Sequence, residues 1–168
     1  MKKIRITFIC CCIILFAGLF LGCAPQENEF LRIHVRANSN NAVDQQIKLK
    51  VRDEVVNYLT PIVISCNSKQ EAIAAIKNHQ SAVNQLIDGL LRKNGFNYTS
   101  KVSIREEQFP NRAYDGVTLE AGFYDAVIIE LGSGLGDNWW CVVYPPLCFM
   151  GNEDISYRSK IYDIINGL

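Results

Sequence analysis

Residues 138–149 constrain the fold more than any other stretch of the chain. They read Asn-Trp-Trp-Cys-Val-Val-Tyr-Pro-Pro-Leu-Cys-Phe and include both tryptophans and two of the five prolines. Aromatic and β-branched side chains favour a pleated, half-buried strand. Pro145 and Pro146 then end it, because neither can donate a ladder hydrogen bond. The segment is therefore predicted to be a strand that stops at a stiff turn.

The two tryptophans are predicted to lie on different faces of this strand, because successive strand residues point to opposite sides. We expect Trp139 to share a buried face with Cys141 and Val143. Trp140 and Val142 then occupy the other face. There, Trp140 is available to a partner or anchors the glycine loop that precedes the strand.

Residues 31–37 alternate strictly between apolar and basic side chains. This period of two is typical of a strand with one face buried. Its other face carries Arg32, His34 and Arg36, and we expect these side chains to be exposed to solvent. A row of three such groups is able to meet an acidic partner, or a carboxylate from within the fold.

Two helical stripes follow this strand. Residues 38–41 form a predicted turn and helix cap, and Asp44 lies in the first helical turn, where the helix dipole favours negative charge. We expect the first helix to end at Thr60, because Pro61 disfavours helical geometry there. Residues 68–71 match a capping box for the second helix. The apolar positions of the two stripes are Val43, Ile47, Val51, Val55 and Leu59, then Ile73, Ile76, Val83, Ile87 and Leu90.

The remainder of the predicted domain consists of strands. Val102 and Ile104 alternate with polar residues, and residues 126–129 form a continuous apolar run that suits a central strand. The loop at 132–136 lacks dinucleotide-binding glycine spacing and precedes a strand, so we interpret it as a flexible hairpin connection. The order strand, two helices, strands predicts an α+β domain with both helices packed on a mostly antiparallel sheet. The helical pair also permits parallel pairing of the first strand with a later one.

The first 23 residues are typical of an export signal. A basic segment precedes an apolar run of about 16 residues, which is short for a spanning helix of roughly 20 residues. We expect a cleaved signal peptide and a mature chain that begins near Ala24. An uncleaved membrane anchor and lipidation at Cys23 are the alternatives. Residues 24–30 form a polar spacer, 31–149 a single folded domain, and 150–168 a tail able to form a short helix.

Charge and residue spacing argue against several kinds of function. The first 23 positions hold three basic residues and no acidic ones, which leaves 14 basic and 17 acidic residues, a net charge of −3, for the rest. No basic cluster is interleaved with aromatic residues, so nucleic acid is not an expected partner. No His or Cys cluster has zinc-like spacing, so we expect no metal and no cofactor.

Cys141 and Cys148 flank the Pro-Pro turn, and an exported chain meets an environment in which they are able to form a disulfide. Two buried thiols are the alternative. Cys141 with His34 as its base would make an exported cysteine-dependent hydrolase, but no local signature supports such a site. We therefore expect no catalytic residue. A ligand-binding envelope domain is the remaining alternative.

Several blocks of the chain resemble the stage II sporulation protein R family of endospore-forming bacteria. Residues 138–149 are the most specific of them, and the resemblance covers about residues 31–149. Two features depart from the family pattern: Glu120 stands where the family tends to have proline, and the chain after Phe149 is shorter than family members often are. The other matching residues are 34–39, 44–45, 48–53, 109–110, Tyr114, Gly116, Leu119, 121–122, Gly132, Gly134 and Gly136.

This resemblance implies a secreted signalling protein of sporulation. Such a protein is made in the forespore and exported into the space between the forespore and mother-cell membranes, and it touches a membrane only through its N-terminal segment. There it triggers a membrane-embedded aspartic protease of the mother cell, which processes an inactive sigma-factor precursor. Anchoring on the outer face of the cytoplasmic membrane is the alternative. The candidate partner-binding residues are Arg32, His34, Arg36, Asn38, Asp44, Trp139 and Trp140.

Overall fold

The computed structural model describes residues 29–114 and 117–147. Strand β1 comes first and is followed by two long helices and then five further strands. The predicted export segment and tail lie outside the described residues. Among those that are described, no helix has the length and apolar content needed to span a membrane. The elements are β1 Leu31–Arg36, α1 Ala42–Ile64, α2 Lys69–Lys93, β2 Ser100–Phe109, β3 Arg112–Tyr114, β4 Val117–Leu119, β5 Gly122–Leu131 and β6 Asn138–Tyr144.

Four of the strands form one mixed sheet in the order β2-β5-β1-β6. Strand β1 pairs with β5 in parallel, and the pairs β1–β6 and β2–β5 are antiparallel. The predicted α+β class, the parallel pairing and the central position of residues 126–129 are therefore confirmed. Strands β3 and β4 form a separate two-stranded hairpin.

Both helices cover one face of this sheet. Ile33 and Val35 of β1 and Val127 and Ile129 of β5 point towards them, and the exposed fraction of each of these side chains is zero. The helical stripes pack onto these strands through residues spaced three and four apart, which lie on one side of each helix. Val43, predicted to belong to the first stripe, is instead 62% exposed. This core is almost entirely aliphatic, and we call it the helix-covered face.

The other face of the sheet is covered as well, so the prediction that Arg32, His34 and Arg36 are exposed to solvent was wrong. Arg32 is 0% exposed and His34 4% exposed, and Arg36 is half-buried. The alternation of side chains was correctly predicted, but alternation does not reveal what packs against the polar side of a strand. This opposite face is covered by a second cluster of apolar side chains: Phe109, Leu119, Tyr124, Ala126, Ile128, Val142 and Leu147, with Phe30, Tyr114 and Trp140 at its margin.

The first helix does not end at Thr60 as predicted but continues through Pro61 to Ile64. Proline removes one backbone donor, yet it lies in the last turns, where little helix remains to be disrupted. The buried side chains of Leu59 and Val63 hold this turn on the core. Packing of the apolar stripe thus outweighs the local preference of one residue.

The second helix begins as predicted. The Ser68 side chain accepts a hydrogen bond from the Glu71 backbone N–H at 3.1 Å. The Glu71 carboxylate accepts from the Asn67 N–H at 2.8 Å, one residue earlier than in a standard capping box. Both contacts satisfy backbone donors that a helix end would otherwise leave without a partner.

Candidate functional site

The side chains of two arginines and one histidine of the opposite face meet at Glu107. Arg36 Nη2 and His34 Nδ1 both bond to Glu107 Oε1, the second at 2.8 Å. Arg36 also donates from Nη1 to Glu130 Oε1 at 2.9 Å, a pair that lies directly across the β1–β5 ladder. Arg105 extends the group, with its Nη2 at 3.4 Å from Glu107 Oε2. We call this group, together with Asn138, the charge cluster.

His34 is held between two hydrogen-bond partners. Its Nε2 lies 2.8 Å from Asn138 Oδ1, while Nδ1 faces Glu107. Burial lowers the pKa of His34 below its ordinary 6.5, against the opposing effect of the hydrogen bonds to Asn138 and Glu107. A neutral ring donates from one nitrogen and accepts at the other. It therefore keeps both contacts by donating from Nδ1 to Glu107 and accepting at Nε2 from the NH2 group of the Asn138 amide.

Arg32 lies deeper in the same face, in a cage of aromatic rings. Its guanidinium carbon is 4.2 Å from the Phe109 ring centroid and 4.8 Å from that of Tyr124. Nη2 donates to the Tyr114 hydroxyl at 2.7 Å, but Nε and Nη1 have no hydrogen-bond partner among the described residues. Arg32 is thus held by cation–π contacts, and it is not accessible to a partner.

A second region, which we call the loop junction, forms where the turn at 37–40 meets the glycine loop at 132–137. Ser133 donates through its backbone N–H to Asn38 Oδ1 at 2.9 Å and through its hydroxyl to the Asn38 carbonyl at 2.6 Å. The Gly136 N–H donates to the Ala37 carbonyl at 2.8 Å. These contacts bind together two stretches that are about a hundred residues apart in sequence.

Two glycines of the loop are required by this close approach. Gly132 has a φ of +56°, which L side chains rarely adopt, and a Cβ there would lie 2.9 Å from Asn38 Cγ. A Cβ on Gly136 would lie 2.6 Å from the Ser39 carbonyl carbon. The prediction of a hairpin connection was wrong, because β1 lies between β5 and β6 in the sheet and the loop crosses over the end of β1. The predicted flexibility is also not observed, since hydrogen bonds hold the loop against the turn at 37–40.

Asp44 lies beneath the junction and is 5% exposed. Its carboxylate accepts from Ser39 Oγ at 2.5 Å, from Tyr98 Oη at 2.6 Å and from Asn38 Nδ2 at 3.0 Å. Desolvation opposes ionisation, but these hydrogen bonds outweigh it and lower the pKa of Asp44. The predicted cap is therefore not formed, since Asn41 makes no side-chain cap. The side chains of the turn instead donate hydrogen bonds to the Asp44 carboxylate.

The tryptophans lie on the two faces that strand alternation predicts, Trp139 towards the helices and Trp140 on the opposite face. The expected contrast in burial is wrong, however, because both indoles are half-buried. Trp139 lies 5.5 Å from the Arg52 guanidinium carbon, and Trp140 lies 4.6 Å from that of Arg112. Other residues pack against both faces of β6, so both indoles are partly covered.

Cys141 is buried and disulfide-bonded. Its predicted partner, Cys148, lies outside the described residues, so that pairing stays a prediction. Cys141 is opposite Ile33 in the β1–β6 ladder, whereas His34 is opposite Trp140. The side chains of Cys141 and His34 therefore point to different faces of the sheet, and the arrangement offers no cysteine–histidine pair.

Sequence reasoning missed the partners of the predicted residues. Glu107 and Glu130 were recognisable as carboxylates on strands, but only the strand order brings them next to Arg36. Tyr98 carries no motif of its own, and the tryptophan block that contains Asn138 does not indicate its contact with His34. Within residues 29–114 and 117–147, no cluster of three or more His, Cys, Asp or Glu side chains is arranged to hold a metal ion.

The fold and these two regions define a small α+β domain whose polar groups bond to one another, with a glycine loop fixed against the turn after β1. A family model described as stage II sporulation protein R matches residues 27–154. The chain is 33% identical over 165 residues to stage II sporulation protein R of Bacillus subtilis (strain 168), across 89% of this chain and 72% of the relative. No solved structure matches the chain. The chain belongs to the stage II sporulation protein R family, which assigns it to sporulation.

Proposed function

We propose that this protein is an exported signal of endospore formation that activates a membrane-embedded aspartic protease of the mother cell. The activated protease processes an inactive sigma-factor precursor. The signal acts in the space between the forespore and mother-cell membranes, and the protein itself contributes no catalytic residue. Its role is to bind, and binding shifts the protease towards its active state.

Family membership carries this proposal, supported by the position of the shared residues. The blocks at 34–39 and 132–136, which the resemblance to the family singles out, meet at the loop junction although they are distant in sequence. This contact is expected if the two blocks form one surface that a single partner binds. Arg32, His34 and Asp44 are too deeply buried to contact a partner themselves. We infer that these buried residues maintain the shape of this surface.

The cysteine-dependent hydrolase considered from the sequence finds no support in the geometry. A thiolate is the nucleophile in such enzymes and needs a neighbouring base. Cys141 is disulfide-bonded, and His34 lies on the other face of the sheet. His34 instead bonds to Glu107 and Asn138 within the fold.

The proposal is tested by co-expressing the chain with the candidate protease and its sigma-factor precursor in a bacterium that forms no spores. We expect the precursor to be shortened only when all three proteins are present. A protease with its catalytic aspartates replaced is the control for chemistry. If the precursor stays intact with all three present, activation of the protease by this protein is refuted.

Export is tested in the same strain with a matched variant that starts at Ala24 and so lacks the basic and apolar segment. We expect processing to require residues 1–23, because the signal acts from outside the cytoplasmic membrane. Mass analysis of the full chain should find an N-terminus near Ala24. An intact N-terminus in the membrane fraction would instead support the anchor.

A further inference from the structure

Leu135 is the most exposed of the large apolar side chains within the described residues. It is 85% exposed at the tip of the glycine loop, and Val43, in the first turn of α1, is exposed beside the same junction. Single exposed apolar residues are common on protein surfaces and carry no meaning by themselves. Their significance depends on what holds them there.

The loop that carries Leu135 is held on both sides of it. Ser133 is bonded to Asn38, Gly136 to Ala37, and the Gly134 N–H donates to the Leu131 carbonyl at 3.0 Å. Ordering a segment with three glycines costs more conformational entropy than ordering other residues. The hydrogen bonds offset this cost, and they fix the position of Leu135 without burying its side chain.

Most polar groups near this loop are uncharged, paired or turned inwards. The Glu130 carboxylate, 3.8 Å from the position of a Cβ on Gly134, is bonded to Arg36. Asn40 and Ser133 are exposed but neutral. The Asp44 carboxylate is buried, and the buried Lys48 ammonium donates to the Asp137 carbonyl at 3.0 Å. Asp137 itself supplies an exposed acidic side chain where the loop ends. An apolar side chain surrounded by a polar rim is the arrangement found at protein–protein interfaces.

We propose that Leu135 is the anchor of the docking surface, and that it enters an apolar, uncharged pocket on the partner protein. The inference rests on the proposed function, in which that partner is the protease. A protein pocket has a fixed shape and benefits from a side chain presented in a fixed position. A lipid surface is fluid and attracts basic residues, whereas the loop has none and ends at Asp137.

Substitution of Leu135 tests the inference in the co-expression strain and with purified proteins. We expect Leu135→Asp to leave the thermal unfolding midpoint unchanged, since the side chain is already in water, and to abolish processing. Leu135→Ala should weaken binding to the detergent-solubilised protease about ten- to a hundredfold, as loss of a buried leucine predicts. Leu135→Met should retain most of the binding.

Phe123 provides a matched control, because it is 63% exposed at the start of β5, and the loop follows the other end of that strand. Phe123→Ser should bind and signal as the wild type does. Gly136→Ala keeps Leu135 but forces the loop off Ser39, and it should reduce binding while the domain stays folded. Equal loss with Phe123→Ser would show that general surface hydrophobicity matters, and the inference would fall.

The outcomes separate this inference from the proposed function. Failure of the wild-type chain to induce processing refutes the function. Processing by the wild type and equally by Leu135→Asp refutes the anchor and leaves the function standing. Flotation with protein-free vesicles of phosphatidylglycerol and phosphatidylethanolamine is the remaining arm: if the wild type floats and Leu135→Asp does not, the loop binds lipid and the inference is wrong.

Discussion

The two faces of the central sheet are both buried but are built differently. The helix-covered face is aliphatic and lies under two helices of 23 and 25 residues. The opposite face contains a caged arginine, a histidine and several ion pairs, beneath a hairpin with strands of three residues each. Strand β1 contributes to both, with Ile33 and Val35 on one side and Arg32 and His34 on the other.

We infer from this difference that one face mainly stabilises the fold, whereas the other mainly fixes the shape of a surface. Apolar burial is non-directional and tolerates many arrangements, so the helix-covered face sets compactness. Hydrogen-bonded and charged groups demand defined positions, and the charge cluster lies next to the loop junction through Arg36 and Asn138. We therefore expect the helix-covered face to dominate stability and the opposite face to tune it.

Substitutions of Ile129 and Ile128 should cause the greatest loss of unfolding free energy. These two residues are adjacent on β5, fully buried, and point to opposite faces. Ile129→Ala should cost about 4 kcal/mol of unfolding free energy, because the helices cannot close the cavity. Ile128→Ala should cost about 1–2 kcal/mol less, because the short hairpin can settle into the space. Urea unfolding at 25 °C measures both. Equal or reversed costs would mean that the hairpin is at least as rigid a cover as the two helices.

Loss of the shared carboxylate of the charge cluster should lower the unfolding free energy by less than the loss of Ile129 does. Glu107→Gln removes the charge that Arg36 and His34 share, and we expect a cost of about 2 kcal/mol, below that of a fully buried pair. Glu106→Gln is the matched control, since Glu106 is the exposed neighbour, and it should change stability by less than about 0.5 kcal/mol. Similar values for the two variants would assign the cluster no role in stability.

Acidification should weaken the opposite face through His34. Because its folded-state pKa is lowered below 6.5, the unfolded chain binds the proton more readily. The stability contributed by the neutral ring is complete above pH 6.5 and is lost as the pH falls towards the folded-state pKa. Thermal unfolding from pH 7.5 to 5 should therefore drop more steeply for the wild type than for His34→Gln. Parallel curves would contradict this assignment.

The smallest effect is expected at Arg32. Replacement by methionine, which has a similar length, should change the unfolding free energy by less than about 1 kcal/mol. It loses the hydrogen bond from Nη2 to Tyr114, but it also removes Nε and Nη1, which are buried with no partner among the described residues. Arg32→Ala should be clearly destabilising, since it leaves a cavity among the rings. Differential scanning calorimetry of the two variants distinguishes them. A large loss with methionine would show that the cation–π cage is a major source of stability.

Much of the architecture was predictable because it follows from local periodicity. Helical stripes, the cap at Ser68, the alternation of β1 and β6 and the apolar run at 126–129 all report how side chains divide between two sides of an element. These patterns sufficed for the α+β class and for the assignment of Trp139 and Trp140 to different faces. They failed at Pro61, where packing of Leu59 and Val63 outweighs a local preference.

The candidate site was only half predictable for a physical reason. Local patterns in the sequence indicate which residues stand out: the basic row on β1, the turn after it, the glycine loop and the tryptophan strand. Their contacts depend on the folded arrangement, because the strand order β2-β5-β1-β6 brings Glu107 and Glu130 to Arg36, and the hairpin covers a face that alternation leaves open. Pairing across strands depends on register and neighbours, and a single strand's pattern contains neither.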